Sequence, residues 1–464
     1  MRDSGELLER IWERDPTVWT GRDEAQWLGW LDEPLRMLER ADELARLAES
    51  RAAERIVVVG MGGSSLAPLV LGRTLGLPLE VLDTTHPAAI RRLDTGDALF
   101  VVASKSGTTV ETRCHFDYLW QLTSRSPDRF LVVTDPGSPL EQLAAERRVE
   151  SLAGEPTIGG RYSALSVFGL VPAALAGGDV GRLLERAEAM HDACRVEEAN
   201  PGLELGLAIG AAWEEGRDKA VFDDPGGFGL WLEQLLAEST GKEGKGLVPV
   251  RGDWPDAPDR QRVEIAIGEP HDVAAEFFRF ELATAVAGAV IGINPFDQPD
   301  VEDAKERARA VLSGHAPDRP GTVTGTVTGT VAEGSSVTKD GPKGTLEALL
   351  AHAREGDYVA IQAFIDPARE EELTPLVERA RATGCVVTVG LGPRFLHSTG
   401  QLHKGGPPSG LFIQVTDDPG EDVAIPKRKF GFKRLIEAQA AGDYEALVSR
   451  ARRVVRTRLE EITS

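Results

Sequence analysis

Ile56-Val57-Val58-Val59-Gly60-Met61-Gly62-Gly63-Ser64-Ser65 decides how this chain is read. A short β-branched run ends in a glycine-rich turn, and a helical stretch follows around Pro68-Leu69-Val70-Leu71. The same order of strand, turn and helix returns twice. Leu99 to Ala103 leads through Ser104-Lys105-Ser106-Gly107-Thr108-Thr109 into a helix beginning near Val110. Phe130 to Thr134 leads through Asp135-Pro136-Gly137-Ser138 into a helix at Leu140, and Leu79 to Leu82 supplies another strand. Strands alternating with helices at this spacing predict an α/β fold, with a parallel central sheet and helices on both faces. Ligands on such sheets bind at the carboxyl ends of the strands.

The first two turns suit an anion. Amide N–H groups at a helix start point at the ligand and the helix dipole favours its charge. Ser64, Ser104, Ser106, Thr108 and Thr109 add hydroxyl donors. The glycine turn is not a P-loop, because no Gly-Lys-Ser/Thr triplet closes it. It is also a poor dinucleotide fingerprint, lacking a third glycine at the helix start. Ordinary tight turns with Ser/Thr caps would look the same singly; two at neighbouring strand ends favour a monophosphate site.

Two further stretches carry candidate chemistry. Gly159-Gly160-Arg161 projects a permanent cation from a fixed backbone, placed to stabilise an oxyanion or to make a structural ion pair. Leu236-Ala237-Glu238-Ser239-Thr240-Gly241-Lys242 puts a carboxylate at the end of an apolar helical run, beside small residues that let a ligand approach closely. Glu238 is read as a general base, a solvated helix-end glutamate being the alternative.

The 464 residues allow two or three domains. A formal net charge of −22 argues against nucleic acid or an anionic membrane as partner, yet not against a small anionic ligand. Cys114, Cys194 and Cys385 are odd in number, widely spaced and without a metal-ligand pattern, which suggests a reducing compartment. The charged N-terminus lacks a signal-peptide core, and the most apolar helix, Ala283 to Ile293, is too short to span a bilayer. A cytoplasmic protein is expected.

The expected organisation is a helical segment over 1–54 with Trp12, Trp19, Trp27 and Trp30 as anchors, then a first α/β domain over 55–199 and a second over 200–320. Val221-Phe222 and Val263 to Ile267 read as strands; Leu203 to Trp213, Phe228 to Glu238 and Phe277 to Ile293 read as helices. A helix from Asp300 carries Lys305. Residues 321–341 are a low-complexity loop or edge hairpin. Residues 342–464 complete the second domain, with a helix at Leu346 to Arg354, strands at Tyr358 to Phe364 and Val386 to Leu391, and a charged helical tail from Phe430 to Leu459.

Five blocks, GMGGSSLAP, SKSGTTVET, IGGRYSALS, ESTGKEGKG and NPFDQPDVEDAK, occur in an order that resembles the glucose-6-phosphate isomerase (phosphoglucose isomerase) family between about Ile56 and Lys305. HSTGQLHKGG (397–406) resembles the bacterial branch found fused to, or beside, transaldolase, which implies a pathway association with that enzyme. The resemblance implies two α/β/α sugar-isomerase domains, a homodimer, a sugar-phosphate substrate and no metal or cofactor. It implies phosphate contacts from Gly63, Ser64, Ser104, Lys105, Ser106, Thr108 and Thr109, with Gly160 and Gln234 near the sugar. Glu238 corresponds to the base, Arg161 to the arginine near the reacting carbons, and Gln298 and Lys305 to the glutamine and lysine of the last block. Where the family has a ring-opening histidine, this chain has Glu276; His271 lies close by but out of register, and His397 or His403 are candidate substitutes.

The implied reaction interconverts glucose 6-phosphate and fructose 6-phosphate through a cis-enediol, in glycolysis and gluconeogenesis. Two alternatives stand beside it: an isomerase that also accepts mannose 6-phosphate, and a non-catalytic sugar-phosphate sensor.

Overall fold

The computed structural model describes residues 4–51, 53–252, 254–300 and 342–462, together with 306, 307, 309 and 312. The chain forms two units. The first is Met1–Asp83, Asp94–Thr240 and Arg251–Asp297; the second is Thr84–Leu93, Gly241–Val250 and Gln298–Ser464.

In chain order the elements up to the middle of the protein are α1 (Ser4–Trp12), α2 (Glu33–Glu39), α3 (Ala41–Ser50), β1 (Arg55–Val59), α4 (Leu66–Leu75), β2 (Leu79–Leu82), α5 (Pro87–Arg92), β3 (Ala98–Ala103), α6 (Val110–Leu122), β4 (Phe130–Thr134), α7 (Pro139–Arg147), β5 (Glu150–Ala153), α8 (Val167–Leu175) and α9 (Val180–Ala193). Then come α10 (Pro201–Glu214), β6 (Lys219–Phe222), α11 (Phe228–Thr240), β7 (Val248–Arg251), β8 (Arg260–Arg262) and α12 (Asp272–Ile291).

The first unit is built on a sheet in the order β2-β1-β3-β4-β5, parallel throughout. Residues 56–59 of β1 and all of β3 are buried, so their apolar runs are continuous, as a strand covered on both faces requires. Val59 lies opposite Leu82 on one side and Val102 on the other. The chain leaves β1 towards β2 and returns on the other side as β3. The strand order therefore reverses between β1 and β3, the place where open parallel sheets bind ligands. Both hydroxyl-rich turns flank it.

The boundary expected at 199/200 falls inside this unit. α10 packs along α12, and α12 packs against α9, so both sides of that boundary share one core. α12 begins five residues earlier than Phe277. Asp272 closes its first turn by accepting from the Glu269 N–H at 2.9 Å, and Gly292, at φ +72°, ends it. Residues 263–267 are extended but not a strand, because β6 stops at Phe222 and offers them no ladder. The Val263 N–H reaches Val221 O at 2.8 Å, and the next groups are satisfied by side chains of α12. Glu276 accepts from the Ala266 N–H at 2.9 Å and Arg279 donates to Glu264 O at 2.7 Å.

The second unit continues with α13 (Pro342–Ala351), β9 (Tyr358–Phe364), α14 (Thr374–Arg381), β10 (Val386–Leu391), α15 (Gly400–Gly405), β11 (Gly410–Thr416), α16 (Phe432–Ser449), β12 (Arg453–Arg458) and α17 (Leu459–Ile462). Its sheet, in the order β10-β9-β11-β12, is also parallel throughout. The charged tail is thus a helix followed by a strand rather than one helix. Buried Val454 and Val455 pair with Phe412 and Ile413, while Arg453 is held by Asp357 at 2.7 Å and Arg456 by Gln414 at 2.6 Å. Those arginines hid the strand in the sequence. α5 belongs here too. Thr85 bonds Gln439 at 2.7 Å, His86 Nε2 lies 3.1 Å from Asp417, and Arg92 pairs with Asp366 at 2.6 Å.

Among the described residues no helix is long and apolar enough to cross a membrane. The three cysteines are buried and free of disulfides. The expected hairpin at 321–334 and the helix carrying Lys305 lie outside the described residues.

Candidate active site

The turn after β1 is a single 3₁₀ turn, Gly62–Ser64, with Gly62 at φ +55°. It lies directly on a second 3₁₀ turn, Gly160–Tyr162. A Cβ on Gly63 would sit 1.9 Å from the Gly160 carbonyl oxygen, so only glycine allows the two backbones this close. A Cβ on Gly160 would meet open space. Ser64 is buried within the first turn.

On the neighbouring strand end, buried Ser104 donates to Thr109 Oγ1 at 3.0 Å, and exposed Ser106 and Thr108 share a hydrogen bond of 2.9 Å. Gly107, at φ +66°, lets the turn close against Ser138. The Lys105 ammonium points the other way. It donates to Asp135 at 2.6 Å and to the Glu155 carbonyl at 2.7 Å, over the third turn. Burial pushes the Asp135 carboxyl up, with Lys105 pulling against it.

α11 is buried along almost its whole length, since it packs against α4, α12 and both 3₁₀ turns. Its polar residues are consequently placed by neighbours rather than by solvent. Glu233 is held by Arg251 at 2.9 Å. Gln234 donates to Glu238 Oε2 at 2.9 Å, one helical turn on. Arg161 reaches the same helix end: its Nε donates to Ser239 at 2.8 Å, and its Nη1 stands 3.8 Å from Glu238 Oε1. Its Nη2 donates to the carbonyls of Pro295 at 2.7 Å and Asp297 at 3.0 Å. The Arg161 side chain is 2% exposed and that of Glu238 12%. The carboxylate is the member of the pair that still meets solvent.

The first unit therefore brings Gly63, Ser64, Gly160, Arg161, Gln234 and Glu238 together. Ser104, Lys105, Ser106, Thr108 and Thr109 form the adjoining strand end. Gln298 is exposed and belongs to the second unit, as do both candidate histidines. His397 is half-buried at the end of a short turn. His403 is a core residue: Gln362 lies 2.9 Å from its Nδ1, the rings of Phe395 and Phe412 flank it, and burial holds its pKa well below the usual imidazole range. Lys305 lies outside the described residues. Glu276 pairs in two-point fashion with Arg279, both contacts at 2.7 Å, and half-buried His271 precedes α12.

Sequence reasoning missed Ser239 and the turn Asn294–Asp297. The signal was present in Ser239 following Glu238, and in an Asn-Pro pair that breaks a helix. What it lacked was the identity of the partner. Nothing local says that two carbonyls there would accept from an arginine more than 130 positions away.

The fold is a parallel α/β sheet with a hydroxyl-lined switch point, and an arginine and a glutamate meet beside it. The phosphoglucose isomerase family model matches residues 47–220 of the chain. It is 28% identical to the glucose-6-phosphate isomerase of Rubrobacter xylanophilus, the match covering 58% of this chain and 84% of that one. It is 31% identical to the glucose-6-phosphate isomerase of Gloeothece citriformis, over 52% of this chain and 50% of that one. Among solved structures, the glucose-6-phosphate isomerase of Chlamydia trachomatis shares the fold, with a TM-score of 0.50 at 21% identity, covering 66% of this chain and 78% of that one.

Proposed function

We propose that the protein interconverts glucose 6-phosphate and fructose 6-phosphate, as a homodimer. The observation that carries this reading is the 3.8 Å approach of the Arg161 guanidinium to the Glu238 carboxylate, beside a turn built for an anion. The phosphate binds at the carboxyl ends of β1 and β3, where amide N–H groups and the hydroxyls of Ser64, Ser104, Ser106, Thr108 and Thr109 converge on three oxygens. Gly63 lets the two turns meet, and Gly160 leaves open space beside them. The sugar then extends towards the end of α11. Glu238 takes the proton from C2 and returns it to C1; in the reverse direction it takes it from C1. The electrons move into the carbonyl at O1, the hydroxyl proton of O2 passes to O1 in the cis-enediol, and the negative charge gathering on the two oxygens lies against Arg161. Gln234, bonded to the other carboxylate oxygen, fixes which lone pair faces the substrate. Ring opening precedes this transfer, moving a proton between the ring oxygen and O1.

The test is an NMR time course of fructose 6-phosphate in deuterated water. Glucose 6-phosphate carrying deuterium at C2 is the expected product, with mannose 6-phosphate monitored in the same spectra. Binding of fructose 6-phosphate without exchange at carbon would overturn the isomerase and leave the sensor.

A further inference from the structure

The turn Asn294–Asp297 offers two carbonyls to Arg161 as acceptors, and the Asn294 amide ties the turn down. Asn294 is 2% exposed. Its Oδ1 accepts from the Phe296 N–H at 2.9 Å, and its Nδ2 donates to Asp23 Oδ1 at 2.8 Å. The second Asp23 oxygen accepts from Gln26 at 2.9 Å and from the Trp27 indole at 3.2 Å. The Phe296 ring is wedged between Trp19 and Tyr162, with centroids at 5.1 and 5.2 Å. Pro295 fills the space left by Gly288, where a Cβ would come within 2.9 Å of it. The N-terminal segment thereby reaches the turn that holds the guanidinium, through Asp23 on Asn294 and through Trp19 on Phe296.

We infer that Asn294 is a positioning residue for Arg161, with Asp23 as its support; the inference rests on the role given to Arg161 above. A guanidinium is a rigid planar fork, so fixing two of its nitrogens fixes the third. Ser239 fixes Nε, and the Pro295 and Asp297 carbonyls fix Nη2. What is left pointing at the Glu238 carboxylate is Nη1. The two carbonyls face Arg161 because the Asn294 oxygen folds the backbone back on the Phe296 N–H, and the amide nitrogen ties that fold to Asp23. Loss of the Asn294 side chain frees both carbonyls to turn, and the fork follows them.

The test is the turnover of fructose 6-phosphate by Asn294→Ala, made in the native chain and in Arg161→Lys. In the native chain kcat is expected to fall roughly tenfold to a hundredfold, the usual penalty for misplacing a group by about an ångström, with KM little changed. In Arg161→Lys the same substitution is expected to change kcat by less than about threefold, because a single ammonium no longer transmits the turn's geometry. Equal losses in the two backgrounds, or an unchanged kcat in the native chain, would overturn the inference. Should Asn294→Ala fail to fold, Asp23→Ala at the exposed end of the chain of contacts is read instead; a smaller fall in kcat supports the inference and an unchanged kcat overturns it. A native chain that exchanges no deuterium at carbon overturns the isomerase itself, a result distinct from either.

Discussion

Arg161 and Glu238 face each other at 3.8 Å, yet each makes its short hydrogen bonds elsewhere. The arginine donates to Ser239 and to two carbonyls, and the glutamate accepts from Gln234. The proposed proton transfer uses a carboxylate that stays within reach of the cation on Oε1 and is anchored by Gln234 on Oε2.

Replacing Glu238 by Gln keeps the shape and removes the base. Carbon-bound exchange in deuterated water is expected to fall by roughly 10²-fold or more. Fructose 6-phosphate binding, followed by calorimetry, is expected to survive, because the phosphate is held by other residues. Comparable turnover in the variant would remove Glu238 from the mechanism.

Ser239→Ala takes away the acceptor of the buried Arg161 Nε. An unpaired buried donor costs about 1–3 kcal/mol, so the melting temperature should drop and kcat should fall with it. A variant as stable and as active as the native chain would show that the Pro295 and Asp297 carbonyls suffice.

Gly63→Ala tests the contact between the two 3₁₀ turns. The new methyl would lie 1.9 Å from the Gly160 oxygen, and neither backbone can yield without moving Ser64 or Arg161. A loss of about 1–3 kcal/mol from overpacking is expected, together with a large fall in turnover. Gly160→Ala meets open space and should be far milder in melting temperature.

Glu33 and Glu281 are buried in the first unit, and burial pushes both carboxyls up, Glu33 to about 7. A raised carboxyl favours folding in its protonated form. That stability is complete below the unfolded value of about 4.3 and is lost as pH rises through the folded one. The melting temperature is therefore expected to decline between pH 5 and pH 8, and Glu281→Gln should flatten the decline. A profile identical in the variant would dissociate Glu281 from it.

In the second unit Lys404 and Asp443 form a wholly buried pair at 2.6 Å. Asp443→Ala strands an ammonium in the core and is expected to cost about 3–5 kcal/mol, whereas Lys404→Met combined with Asp443→Leu should recover most of it. Urea denaturation of the three chains reads the difference.

The parallel sheet was legible because β1, β3 and β4 are unbroken apolar runs ending in turn residues, a local pattern with one local meaning. β12 was not, since Arg453, Arg456 and Arg458 look solvated until Asp357 and Gln414 are known to meet two of them. The roles of turns follow the same division. The glycine-rich turn after β1 was legible as suited to an anion, and Glu238 and Arg161 stood out as candidates whose roles the resemblance supplied. Which atoms of Arg161 would be held, and by whom, depends on carbonyls in a distant turn, and a carbonyl leaves no mark in a sequence. The candidate histidines illustrate the reverse error. A polar block around His403 looked exposed, and the aromatic rings that enclose it come from residues 395 and 412, one before and one after it.

The route of the chain through its two units bears on how the molecule is made. Thr84–Leu93 emerges from the ribosome early, yet Thr85, His86 and Arg92 take their partners from Gln439, Asp417 and Asp366, the last of which is synthesised more than 270 residues later. That ten-residue piece must wait for these partners while more than 270 further residues are made. A protein shortened at residue 297 would keep the first sheet and expose an orphaned imidazole and guanidinium on a segment with nowhere to dock, so the interleaving makes that segment dependent on residues 366 to 439.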